Sequence, residues 1–369
     1  MKRADTLRKT AGRPHTGGPK QPLAGGAPAD QARRSTRTPA RRRWAWLAAS
    51  ATFLLVATAL SFLVGTRPLS PEVVWHALVS PTGTEPDLIV RTLRAPRTLV
   101  GICVGVALAT AGVLMQGVTR NPIADPGILG VNAGAATGVV AASYLLDVGG
   151  LSGQVWFGFA GAALATALVY GVASAARTGA TPTTLVLAGA ALTALLAGII
   201  AAIVVFDHRT MDAYRFWVVG SLAGVQTDAA WRILPFLSAG LLLAVASARG
   251  LDALALGDEM AAGLGHKAAR TRFLAAAAVT VLTGAAVAAT GPIAFVGLMA
   301  PHLARALVGS GHRWLLAAAA LLGPAVLLAS DVVGRVITAP AEVHAGVITA
   351  ILGAPVLIAL VRRRVVMAP

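Results

Sequence analysis

Charge is scarce in this chain of 369 residues: Asp, Glu, Lys and Arg make up 12%, against 56% hydrophobic residues. Its single cysteine, Cys103, lies inside an apolar run. That excludes an internal disulfide and a Cys/His metal cluster, and leaves a small core side chain. Lysine is confined to the first 20 residues except for Lys267, which follows His266 and not a glycine. The chain therefore has no phosphate loop and cannot hold ATP through a Walker lysine of its own. No His-Glu-x-x-His pattern and no nucleophile–base pair stands in a plausible motif, so metal hydrolysis and covalent catalysis have no residues to work with. Acids and histidines do not recur through successive apolar runs, as they tend to in a proton-coupled carrier.

What the chain has is hydrophobic length. Ten runs of roughly 20 residues, each enough to cross a bilayer as helix, fall at about 44–64, 95–117, 127–146, 154–175, 182–206, 229–248, 273–290, 293–309, 314–332 and 344–361. The fold class is all-α, a polytopic transmembrane helical bundle, and water-soluble enzyme folds are excluded. The 40 glycines point to closely packed helices, because small residues let backbones approach in a membrane.

The net charge of +16 is unevenly placed. Residues 1–43 hold 12 Lys+Arg and 2 acids. This tail is rich in Pro, Gly, Ala, Thr and Arg and reads as disordered. It ends in Arg41-Arg42-Arg43 directly before the first run. That fits a cytoplasmic flank obeying the positive-inside rule better than a nucleic-acid arm. A twin-arginine export signal fits less well, since the run that follows can span and more spans follow. With the tail inside, ten spans put the C-terminal Arg362-Arg363-Arg364 inside too. The inner side then carries 23 Lys+Arg and 6 acids, the outer side 8 and 9. The predicted organisation is a basic tail (1–43), a membrane domain (44–364) with an inner loop at 249–272, and a short end (365–369).

That inner loop contains Leu256-Gly257-Asp258-Glu259-Met260-Ala261-Ala262-Gly263-Leu264-Gly265. Asp258 and Glu259 suit the first turn of a helix, and Gly263 and Gly265 can end it. Met260, Ala261 and Leu264 would share one face. The stretch reads as a two-turn helix offering a small apolar face, or as a capped surface turn; these residues alone leave both open. On the outer side, Ser70-Pro71-Glu72 starts a short surface helix over Pro71–Leu78. Arg94 and Arg97 stand three apart at the outer mouth of the second span, suited to an acidic partner or to interfacial snorkelling. Asp331 and Arg335 are four apart and positioned to pair. Residues Asp207–Arg215 read as an outer loop, followed by an aromatic re-entry at Arg215–Leu222.

Two stretches break the helical pattern. Arg120-Asn121-Pro122-Ile123-Ala124-Asp125-Pro126 stops the second span at the inner face, and Asn132 then enters the third, where it should bond a neighbouring helix or line a cavity. Gly291-Pro292-Ile293-Ala294-Phe295-Val296-Gly297-Leu298-Met299-Ala300-Pro301-His302-Leu303-Ala304-Arg305 reads as a broken helix, tolerated only where protein or a cavity covers it. His302 could relay protons, but bonding to backbone beside Pro301 is the plainer role.

These three segments, in this order and spacing, resemble the FecCD-type permeases, the membrane subunits of ABC importers for ferric siderophores, haem and cobalamin. The resemblance runs from about Arg91 to Arg364. It implies a type II importer: ten spans per subunit, a second permease subunit, identical or related, and two ATPase subunits inside. ATP and Mg would sit on the ATPase, with no cofactor in this chain. A soluble or lipid-anchored binding protein would dock outside. By matching position, Leu256–Gly265 looks like the coupling helix seated in the ATPase. Arg94, Arg97 and Arg335 look like arginines that dock the binding protein. Asn121, Pro122, Asp125, Pro126, Asn132, Gly291, Pro292, Pro301 and His302 are assigned to the path or to helix packing. Arg215–Leu222 is similar to the segment in ferric-siderophore permeases and favours iron chelates over cobalamin. The chain departs from the family at Glu342-Val343-His344, where Pro is usual in place of His344, and at Ala95 and Ala317. The competing reading from the residues is a secondary transporter driven by an ion gradient. The expected location is the cytoplasmic membrane, with both termini cytoplasmic.

Overall fold

The computed structural model describes residues 40–147, 151–177, 179–225 and 227–366. The expected tail, apart from residues 40–43, lies outside the described residues, as do residues 367–369. Helix α1 spans Ala40–Leu63, so Arg41–Arg43 belong to its first turn and not to a coil. The expected surface helix after the first span is α2, Pro71–Val79; Ser70 caps it, its side chain accepting from the Val73 N–H. A short α3 (Glu85–Leu88) and a turn of π-helix (Ile89–Arg94) lead directly into α4, Ala95–Thr119. Beyond a 3-10 turn at Pro126–Leu129 come α5 (Val131–Leu146), α6 (Leu151–Ala175) and α7 (Pro182–Phe206).

The expected outer loop at Asp207–Arg215 is a helix instead: α8, His208–Val218. The Asp207 carboxylate accepts from the Thr210 N–H at 3.0 Å and caps it, while Thr210 and Trp217 turn inward and are buried. Then follow α9 (Ala229–Leu254), the short α10 (Asp258–Gly263), α11 (Ala268–Thr290), α12 (Val296–Val308), α13 (His312–Ile337) and α14 (Ala345–Val366). Each of the ten anticipated spans has its helix. Among the described residues, seven helices are long and apolar enough to cross a membrane, and Val131–Leu146, Val296–Val308 and Ala345–Leu360 are shorter apolar helices. The inner loop is narrower than 249–272, because α9 and α11 extend into it from both sides.

Burial divides the helices. The most apolar window of α4 is 83% buried, that of α7 only 11%. So α4 is the mast, packed by α9, α11, α12 and α13, while α7 leaves most of its surface for lipid or another chain. Close approach depends on glycine where α5 meets α6. A Cβ on Gly134 would lie 2.4 Å from the Gly161 carbonyl oxygen, and one on Gly161 would lie 2.2 Å from the Gly134 oxygen. Two adjoining backbones therefore touch without intervening side chains, which is how small residues build membrane helix contacts.

Candidate functional site: an anchored surface helix and a buried ion cluster

Helix α10 begins where Gly257 adopts φ 110°. It ends where Gly265 adopts φ 79°, and there the His266 N–H donates to the Ala261 carbonyl and the Gly265 N–H to the Ala262 carbonyl, both at 2.9 Å. Glycine at this left-handed position closes a helix without steric cost. Gly265 is the terminator; Gly263 is still helical. The helix has six residues, about a turn and a half. Its exposed apolar face is Leu256, Met260 and Leu264, 64%, 59% and 60% accessible. Ala261 does not share that face: it is fully buried against the bundle, because it lies a third of a turn round from Met260. Glu259 is exposed beside the apolar face.

Asp258 does not reach outward either. Its carboxylate accepts from Arg272 Nη2 at 2.7 and 3.0 Å and also pairs with Arg120. Arg272 lies in the first turns of α11, and Arg120 caps α4 with φ 50°. The hydrogen bond from Arg272 holds the Asp258 carboxyl below its ordinary range; slight desolvation opposes it, and Arg120 adds to it. So α10 is pinned to two spans through one carboxylate. A second tie runs beside it: Asp252 near the end of α9 accepts from the backbone N–H of His312 at 3.0 Å and lies 2.6 Å from its Nδ1. No local sequence pattern pairs these residues. The partners are up to 138 positions apart, although Arg120 was already singled out by its motif.

The motif after α4 is a set of local turns. Asn121 Oδ1 accepts from the Ile123 N–H at 3.2 Å, Pro122 follows, and Asp125 Oδ1 accepts from the Gly127 N–H at 2.8 Å to cap the turn that Pro126 opens. Asn132 borders a groove with Asp125 and, on α7, Thr193. Its Oδ1 is buried and has no partner among the described residues. The second break is as expected. Gly291 takes φ 72°, Pro292 follows it, and Phe295 is left-handed before α12 starts. The Ser221 N–H donates to the Thr290 carbonyl at 2.8 Å, which satisfies the last carbonyl of α11. Pro301 lies within α12, beside a half-buried His302.

At the opposite end the arginines expected on a docking surface face inward. Asp331 is fully buried and takes two guanidinium groups. Arg97 Nη2 donates at 2.8 Å and Arg335 Nε at 3.0 Å. Arg97 also reaches Glu342 at 2.7 Å. Arg335 continues to the Ser61 carbonyl at 2.8 Å. Arg94, buried, donates to the carbonyls of Phe62 and Arg67. Buried cations need such partners, and these tie α1, α4, α13 and the approach to α14 into one knot. The pairing of Asp331 with Arg335 is the one anticipated. Arg94 and Arg335 are buried in this arrangement, and Arg97 alone of the three is partly exposed.

The chain matches the FecCD transport family over residues 53–363. It is 38% identical over 324 residues to a protein of Bacillus subtilis (strain 168) named a probable siderophore transport system permease, YfiZ, covering 88% of this chain and 97% of that one. It is 44% identical over 312 residues to the ferric enterobactin transport system permease FepD of Escherichia coli (strain K12), covering 84% and 93%. A solved structure described as an inward-facing conformation of a metal-chelate type ABC transporter matches with a TM-score of 0.76 at 29% identity, over 86% of this chain and 98% of that one. With the family matched over residues 53–363 and the helical bundle matched over 86% of this chain, the chain belongs to the FecCD transport family and is a multi-pass membrane permease of the ABC importer type.

Proposed function

We propose that the chain carries ferric chelates, ferric siderophores first among them, across the cytoplasmic membrane, with α10 as the point where a separate ATPase does its work. The observation that carries this is α10 itself. It offers Leu256, Met260 and Leu264 to solvent, yet its backbone is fixed to α4 and α11 through Asp258. An exposed apolar face on a rigid mount suits receiving a push from a partner. The names of YfiZ and FepD support the cargo. ATP and Mg belong to two ATPase chains, and a second permease subunit, identical or related, completes the path. The charge distribution supports a cytoplasmic α10 and cytoplasmic termini.

A binding protein would then meet the other end. An incoming carboxylate there would compete with the part-exposed Glu342 for Arg97, while Arg94 and Arg335 hold the bundle from within. The test is uptake of iron-labelled ferric siderophore by cells with and without this chain. ATP-dependent uptake lost with the chain, and not competed by cobalamin or haem, supports the reading. Uptake that persists after the ATPase is removed would instead indicate an ion-driven carrier.

A further inference from the structure

At the corner where α1 begins beside the start of α13, the arginines of α1 have no acid paired to them among the described residues. Arg41, Arg42 and Arg43 occupy the first turn of α1, and that turn has no acid. Cations there oppose the positive end of the helix dipole, so helix electrostatics does not favour them. None of the three forms an ion pair among the described residues. The Arg43 guanidinium carbon lies 5.7 Å from the centre of the Trp314 ring. Trp44 meets the same ring edge-on, 5.3 Å between centroids at 87°. A cation over an aromatic face is held in place while its N–H donors stay available at its edge. The Arg43 Nε is buried and has no hydrogen-bond partner among the described residues. Arg313 is exposed next to this shelf. The nearby carboxylate of Asp252 is bonded to His312, and its charge reaches Arg313, not the three arginines of α1.

Depth also matters. Trp44 is largely exposed at the very end of a membrane-spanning helix, where indole rings settle at headgroup level. Guanidinium groups one turn away meet phosphate, not acyl chain. We propose that this corner is a binding site for an anionic phospholipid of the adjoining leaflet, with Arg42 and Arg43 donating to the headgroup phosphate and Trp44 and Trp314 setting its depth. Charge complementarity names the occupant: an anionic leaflet attracts basic residues at its surface, and a guanidinium held on an aromatic shelf fixes one headgroup rather than a diffuse cloud.

The experiment is native mass spectrometry of the full chain in detergent, with dioleoylphosphatidylglycerol or dioleoylphosphatidylcholine added. Tighter retention of the phosphatidylglycerol is expected. The triple variant Arg41→Gln/Arg42→Gln/Arg43→Gln should weaken it on the order of tenfold or more, given the attraction each basic residue supplies. Removing the same charge at Arg362→Gln/Arg363→Gln/Arg364→Gln should leave it nearly unchanged. Equal loss from both triple variants would reduce the effect to bulk charge and overturn the site. Displacement of the lipid by millimolar inorganic phosphate would assign the corner to free phosphate and also overturn it. If the first triple variant does not fold, the exposed Arg42→Gln and Trp44→Ala single variants carry the test, each expected to weaken phosphatidylglycerol and not phosphatidylcholine.

Discussion

Arg272 Nη2 lies 2.7 Å from Asp258 Oδ2, a contact that joins the first residue of the surface helix α10 to the membrane-spanning α11. Together with Arg120 it makes α10 part of the bundle and not a hanging loop. Asp258→Asn should leave the fold intact, because the carboxylate is about half exposed and such pairs contribute at most about 1 kcal/mol. Hydrogen exchange should nonetheless quicken selectively over residues 258–266. Unchanged protection there would mean that the two arginines do not anchor the helix.

The same contact predicts a pH dependence. The Arg272 hydrogen bond lowers the Asp258 carboxyl in the folded chain. A group lowered on folding stabilises above its unfolded value, about 3.9 for Asp. That contribution disappears as pH falls through the folded value. Protection of α10 should therefore be flat from neutral pH down to the carboxylate range and fall only in acid below it. In Asp258→Asn the acid step should vanish.

Asp331 is the keystone at the other end. Asp331→Ala leaves Arg97 and Arg335 buried without their shared carboxylate, and losing one partner of a buried ion pair costs roughly 3–5 kcal/mol. Thermal unfolding in detergent should show a large drop for Asp331→Ala. Glu342→Gln should show a small one, because Glu342 is part-exposed and bonds Arg97 alone among its described partners. Similar melting for the two variants would remove Asp331 from the centre of the knot.

Gly161→Val places a side chain where the Gly134 carbonyl oxygen already stands 2.2 Å from a Cβ. The helices must separate, at a cost of about 1–3 kcal/mol or more. Expression and melting of the variant check this; wild-type stability would mean that α5 and α6 tolerate a looser crossing.

Local rules made much of this chain legible. Hydrophobic length gave the ten helices, Ser70-Pro71-Glu72 gave α2, and the four-residue spacing gave the bond between Asp331 and Arg335. What stayed hidden depends on distant partners. Asp207–Arg215 looked polar enough for a loop, yet Asp207 caps a helix whose Thr210 and Trp217 find the bundle. Arg94 looked like a surface charge because spacing does not reveal that the carbonyl of Phe62 waits for it, and spacing paired Arg335 with Asp331 without revealing its reach to the Ser61 carbonyl. Ala261 looked like part of an offered face, and only the seating of α10 on the bundle turns it inward. The anchors Arg120 and Arg272 were visible as residues but not as a pair.

Met260 and its exposed neighbours are the proposed contact with the ATPase. Met260→Asp puts a charge into that apolar contact while leaving the bundle untouched, since Met260 is 59% exposed. In vesicles holding the permease, its ATPase and its binding protein, ATP-driven uptake of ferric siderophore should fall at least about tenfold, as expected when a charge is buried unpaired, with the protein still folded and inserted. Uptake equal to the parent would contradict the account.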